Sequence, residues 1–135
     1  MNLEKLVSKF GKCKLNEPAT KEQIESFEKN NKVKLPQIYK EWLLFSDGGH
    51  ICLPAGIQFY GVFQKPQIDV SSEDRPNDTY VVIGALATGD PILFKKDTEQ
   101  VAIYNQEENK IEDDEVYDDF FEFISDYKNI LGLEG

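Results

Sequence analysis

The sequence predicts an α+β domain in which N-terminal helices and a C-terminal helix pack with a mainly antiparallel β-sheet. Three observations carry this reading. Apolar residues up to Phe45 recur at helical spacing, whereas from His50 they fall into short runs broken by Pro, Gly and Asp. From Asp119 helical spacing returns behind a capping pattern. The short connections between the runs imply antiparallel neighbours, and 135 residues are expected to form one domain spanning 1–135.

Leu3, Leu6, Val7 and Phe10 make the inner face of a first helix that Gly11 stops. Thr20-x-x-Gln23 is a capping box for a second helix, with Ile24 and Phe27 facing inward and Asn30-Asn31 at its end. The third runs from Pro36 to Ser46. Proline suits a first helical position, because its missing amide donor costs nothing there. Tyr39, Trp42 and Leu43 share one face, Ile38 and Phe45 widen it, and Gly48-Gly49 is expected to supply the left-handed end.

Ile51, Leu53, Ile57, Phe59 and Val62 then read as paired strands with tight connections, and Pro66 to Asn77 as the longest loop. Tyr80 to Leu86 is apolar without alternation, as expected of a central strand covered on both faces. Gly89-Asp90-Pro91 turns into Ile92 to Lys95, and Asp97 to Gln100 turns into Val101 to Tyr104. An edge strand follows near Lys110 to Val116. Asp119-x-x-Glu122 caps a last helix with Phe120, Phe121, Ile124, Tyr127 and Leu131 on one face.

Some of these residues carry a resemblance. Leu35-Pro36, Tyr39-Lys40, two apolar residues and then Asp47-Gly48-Gly49 are similar to the hallmark of the SUKH superfamily, which includes the fungal Smi/Knr cell-wall regulators and many bacterial immunity proteins. Tyr80-Val-Val-Ile-Gly84, Gly89-Asp90 and Val101-Ala-Ile-Tyr104 resemble its central segment, and Asp119 to Ile124 its closing helix. The resemblance covers about residues 20 to 128 and rests on the order of these pieces. Asp47 departs from it where Asn is expected. It implies the SUKH fold and, for a bacterial member of immunity-protein type, a non-catalytic protein that binds a toxin made by the same or a neighbouring cell. The alternative is a regulatory or scaffolding module of the same superfamily with no toxin partner.

Charge points the same way. The formal net charge is −10, and it is unevenly spread. Residues 1–45 hold nine lysines and six glutamates; residues 97–127 hold twelve acids against Lys110 alone. Such a chain repels nucleic acid and anionic lipid, so neither is expected as a direct partner, and a basic protein is favoured. A nuclease toxin is basic because it holds phosphate, and an acidic protein would block it by electrostatic mimicry. The acids proposed to meet such a partner are Glu112, Asp113, Asp114, Glu115, Asp118 and Asp119, with Asp69, Glu73 and Asp74 of the long loop. Their bland reading is a solvated face plus acids that suit a helix N-terminus.

Catalytic groups are scarce. His50 is the single histidine, and Ser46, Asp47 and Cys52 are its local candidates for a hydrolytic set. No nucleotide, zinc-protease or hydrolase motif occurs, and neither Asp69–Asp78 nor Glu107–Glu115 has the spacing of a calcium loop, so no catalytic residue, metal or cofactor is expected. Trp42 reads as a core anchor. Cys13 and Cys52 show no metal-like or disulfide-framework spacing. With neither a leader-like start nor an apolar run of membrane length, they suggest a cytoplasmic protein. Oligomeric state is not legible.

Overall fold

The computed structural model describes residues 3–53, 56–70 and 75–131. Helices α1 (Leu3–Val7), α2 (Lys21–Asn31) and α3 (Gln37–Phe45) precede six strands, β1 (Gly49–Ile51), β2 (Ile57–Phe59), β3 (Tyr80–Leu86), β4 (Pro91–Lys95), β5 (Val101–Asn105) and β6 (Lys110–Tyr117). Two short helices, α4 (Phe120–Ser125) and α5 (Tyr127–Ile130), close the chain. Each strand pairs antiparallel with its successor, so the sheet order is the chain order. The expected α+β architecture is the one observed.

The predicted capping box on α2 is formed: Thr20 Oγ1 accepts from Gln23 N at 3.1 Å, and Gln23 Oε1 accepts from Thr20 N at 2.9 Å. Helix α3 differs from the expectation at both ends. Pro36 is its N-cap, not its first residue, with ψ at 138°. Proline has no capping oxygen, and the exposed donors of Gln37 and Ile38 are taken by the Glu99 carboxylate, at 2.8 and 3.1 Å, from the β4–β5 turn. At the other end the helix stops at Phe45, and Ser46 is already extended with φ −153°. The glycines follow that stop and turn the chain into β1. Gly48 has φ 87°, and a Cβ there would lie 2.7 Å from Phe59 O, so only glycine fits.

The core lies between the helices and one face of the sheet. Tyr39 and Trp42 of α3 meet Phe59 of β2 and Phe120 of α4 in edge-on and tilted ring contacts, with centroids 4.8–6.4 Å apart. Trp42 is fully buried and its Nε1 donates to Gly48 O at 3.1 Å, so it is the anchor its sequence position suggests. Val82, Leu93 and Ala102 form a row in register across β3, β4 and β5 and are also buried, so the middle of the sheet is covered on both faces.

Two further expectations need correction. Leu53 and Val62 lie outside the strands: Leu53 N donates to Lys12 O at 2.9 Å, and Val62 sits in the loop beyond β2. The final helix breaks at Asp126 into α4 and α5. Its buried stripe is Phe120, Phe123, Ile124 and Tyr127, the i, i+3, i+4, i+7 set. Phe121, one residue round from Phe120, is turned to the side and only half-buried.

Candidate protein-binding surface

The acidic stretch Glu112–Glu115 lies in β6 at an edge of the sheet. Register with β5 runs Val101↔Tyr117 and Ala102↔Val116, then resumes at Tyr104↔Ile111 and Asn105↔Lys110. Between these pairs β5 advances by Ile103 alone, while β6 advances by all four acids. They form an expanded bulge. Neighbouring Asp and Glu side chains favour a pleated ladder poorly, and a charged, bulged edge is a recurrent arrangement on exposed strands.

Asp113 and Asp114 are exposed, and Glu112 and Glu115 half-buried. Lys110 reaches Glu112 across 3.7 Å at a well-exposed position. The Glu115 carboxyl is pushed above the usual glutamate range, first by partial burial and then by the charges of Asp114, Asp90 and Glu112. These carboxylates therefore feel one another. Asp90 belongs to the group, although the sequence marks it only as a turn residue. Strand order brings the β3–β4 turn beside the β5–β6 connection, where Gln106 N donates to Asp90 Oδ1 at 3.3 Å.

The other proposed acids are placed differently. Asp118 is exposed beyond the end of β6. Asp119 is the N-cap of α4, its Oδ1 accepting from Glu122 N at 2.8 Å, so its carboxylate already has a structural task. Asp69 is exposed and pairs with Val82 on the β2 side of β3. That is four strand spacings from β6, or about 19 Å, so it does not join the β6 group. Glu73 and Asp74 lie outside the described residues. Other acids of the C-terminal region are internal fasteners. Glu99 caps α3, and Asp126 accepts from Tyr117 Oη at 2.8 Å and from Asn129 Nδ2 at 2.7 Å. Burial, then that bond to Asp126, raises the Tyr117 phenol well above its ordinary range.

The groups near His50 are committed elsewhere. Asp47 is buried, and its carboxylate accepts from Val62 N (2.7 Å), Phe63 N (3.0 Å) and Gln64 N (2.6 Å). Ser46 Oγ donates to Gly48 O at 2.9 Å and accepts from Asn16 N at 3.1 Å. Burial, then the neighbouring Cys13, pushes the Cys52 thiol up to about 11, which leaves little thiolate at neutral pH. Among the described residues no group of three or more His, Cys, Asp or Glu side chains is arranged to hold a metal ion, and no helix is long and apolar enough to cross a membrane.

What this arrangement offers is a strip of like charge along an open strand edge. A search of curated proteins finds no match to the chain. The model of the SMI1 / KNR4 family (SUKH-1) matches residues 18–126, from the approach to α2 through the end of α4, and so takes in α3, the whole sheet and the closing aromatic helix. The chain belongs to the SMI1/KNR4 (SUKH-1) family.

Proposed function

We propose that this chain is a non-catalytic immunity protein of the cytoplasm, which captures a basic toxin polypeptide through the acids of the β6 edge. Its family often acts in toxin immunity, and the observation that carries the reading to this surface is the bulge. Four consecutive acids are released from the ladder at one edge, with Asp90 beside them and Lys110 as the cation at hand. Such a surface attracts a positively charged protein before contact, and long-range attraction raises association rates by roughly 10- to 1,000-fold. A nuclease whose cationic cleft holds phosphate is the chemical class that fits best.

The test pairs the full chain with the product of a neighbouring secreted-toxin gene. Reversing Asp113, Asp114 and Glu115 to lysine is expected to lower the association rate by at least about tenfold in low salt, with the fold unchanged by circular dichroism. An association rate that stays put in low salt would remove the electrostatic part of the proposal. A partner without toxic activity would move the assignment to the regulatory reading.

A further inference from the structure

We propose that β6 takes up an extended, lysine- or arginine-rich segment of the partner as a seventh strand, so that the toxin is held by main-chain hydrogen bonds as well as by charge. This rests on the reading that the partner is a basic polypeptide, and it specifies how that polypeptide is gripped. The two edges of the sheet are finished differently. The β1 edge is closed by the segment before it: Lys14 N donates to His50 O at 3.0 Å, His50 N to Lys14 O at 2.8 Å, and Leu53 N to Lys12 O at 2.9 Å. At the far edge, β6 is the longest strand of the sheet, and among the described residues no further strand pairs with it.

An open edge presents a row of main-chain donors and acceptors that a visiting strand can satisfy. Along Glu112–Glu115 the register with β5 shifts, so the regular stretches of β6 are Lys110–Ile111 and Val116–Tyr117 on either side of the acids. The occupant follows from charge. A second copy of this chain would set one acidic β6 against another, and like charges directly opposed across a strand pair are destabilising. An uncharged strand would leave these carboxylates crowded and partly desolvated; the Glu115 carboxyl is already pushed up, by partial burial first and then by its acidic neighbours. A strand carrying Lys or Arg opposite them relieves that repulsion, and opposite-charge cross-strand pairs add stability. The bulge shortens the regular stretch available for pairing, so backbone bonds supply the geometry of the grip and charge selects what enters it.

The probe is a ten-residue peptide of alternating Lys and Val. It is compared with the same peptide N-methylated at alternate backbone amides, which keeps its charge but removes the donors on one edge, and with a Glu–Val version. Binding to the full-length protein is followed by fluorescence anisotropy in low salt, and amide exchange by NMR. The Lys–Val peptide is expected to bind and to slow exchange within Glu112–Glu115, the N-methylated peptide to bind at least about tenfold more weakly, and the Glu–Val peptide not to bind. Equal binding of the methylated peptide, or slowed exchange confined to other strands, overturns strand addition while leaving electrostatic capture standing. If the Lys–Val peptide fails to bind but toxin association still depends on Asp113, Asp114 and Glu115, strand addition alone falls. If that dependence fails too, both fall.

Discussion

Replacing Asp47 with asparagine tests how the turn after α3 holds the protein together. The carboxylate serves three main-chain donors with two oxygens: Oδ1 takes Val62 N, and Oδ2 takes Phe63 N and Gln64 N. Asparagine has one acceptor. Its best placement keeps the pair at Oδ2 and turns its amide nitrogen toward Val62 N, a donor against a donor in a buried spot. One buried amide left unsatisfied costs about 1–3 kcal/mol, and losing the charge on the other two bonds costs about 1 kcal/mol each. Removing a buried anion returns part of this, roughly 1–2 kcal/mol. The expected loss for Asp47→Asn is therefore about 1–4 kcal/mol. A domain stable by roughly 5–15 kcal/mol survives that, with a midpoint shifted well down. Trp42 is the single tryptophan and is fully buried, so its fluorescence reports unfolding in urea directly. Amide exchange at Val62, Phe63 and Gln64 should quicken more than exchange in β4. An unfolding free energy from the urea curve within about 0.5 kcal/mol of the parent would refute the assignment of Asp47 as the fastener of this loop.

Glu99→Ala should lower stability by about 1 kcal/mol in the same urea assay, because it strips the cap from α3 and frees Gln37 N and Ile38 N; no change would mean that water replaces the carboxylate without loss. Glu115→Gln should stabilise the protein slightly near neutral pH, by about a few tenths of a kcal/mol for a group only partly buried and screened by solvent. The sign follows from the raised carboxyl. The folded state holds its proton more tightly than the unfolded state, so stability falls as pH rises through the window above the ordinary glutamate value. The advantage of glutamine should therefore be present at neutral pH and vanish at pH values below that window, where both states are protonated. Thermal melts of the two proteins at both ends of the range decide it.

Local chemistry accounts for what could be read in advance. The α2 capping box, the α3 stripe of Tyr39, Trp42 and Leu43, the covered β3 and the antiparallel pairing of β3, β4 and β5 follow from spacing and punctuation within a few residues of one another, whereas the sheet order as a whole is implied only by the resemblance. The partners that cross the fold do not follow from such local spacing. Glu99 caps a helix 62 residues before it, and Asp90 stands near the acids of β6 because the β3–β4 turn and the β5–β6 connection lie at the same end of the sheet. By sequence Asp47 reads as a turn residue before two glycines. Its three amide partners come from a loop whose return path is set by β2, which the turn residues themselves do not encode.

The twelve acids of residues 97–127 therefore include two groups that the fold separates. Glu99, Asp119 and Asp126 each accept hydrogen bonds that hold a helix end or an aromatic hydroxyl, and substituting them should act on stability. Glu112, Asp113, Asp114 and Glu115 hold no comparable internal bond among the described residues apart from the exposed contact of Glu112 with Lys110, and the Glu115 carboxyl is pushed up by partial burial first and then by the charges of Asp114, Asp90 and Glu112. A charge that weakens the free protein is stabilising only in the presence of something that neutralises it. Two mutant sets thus make opposite predictions. Neutralising the first set should lower the melting temperature with little effect on toxin association. Neutralising the second should leave the melting temperature level or higher and slow association, and an acid of the second set whose loss unfolds the protein would return it to the first.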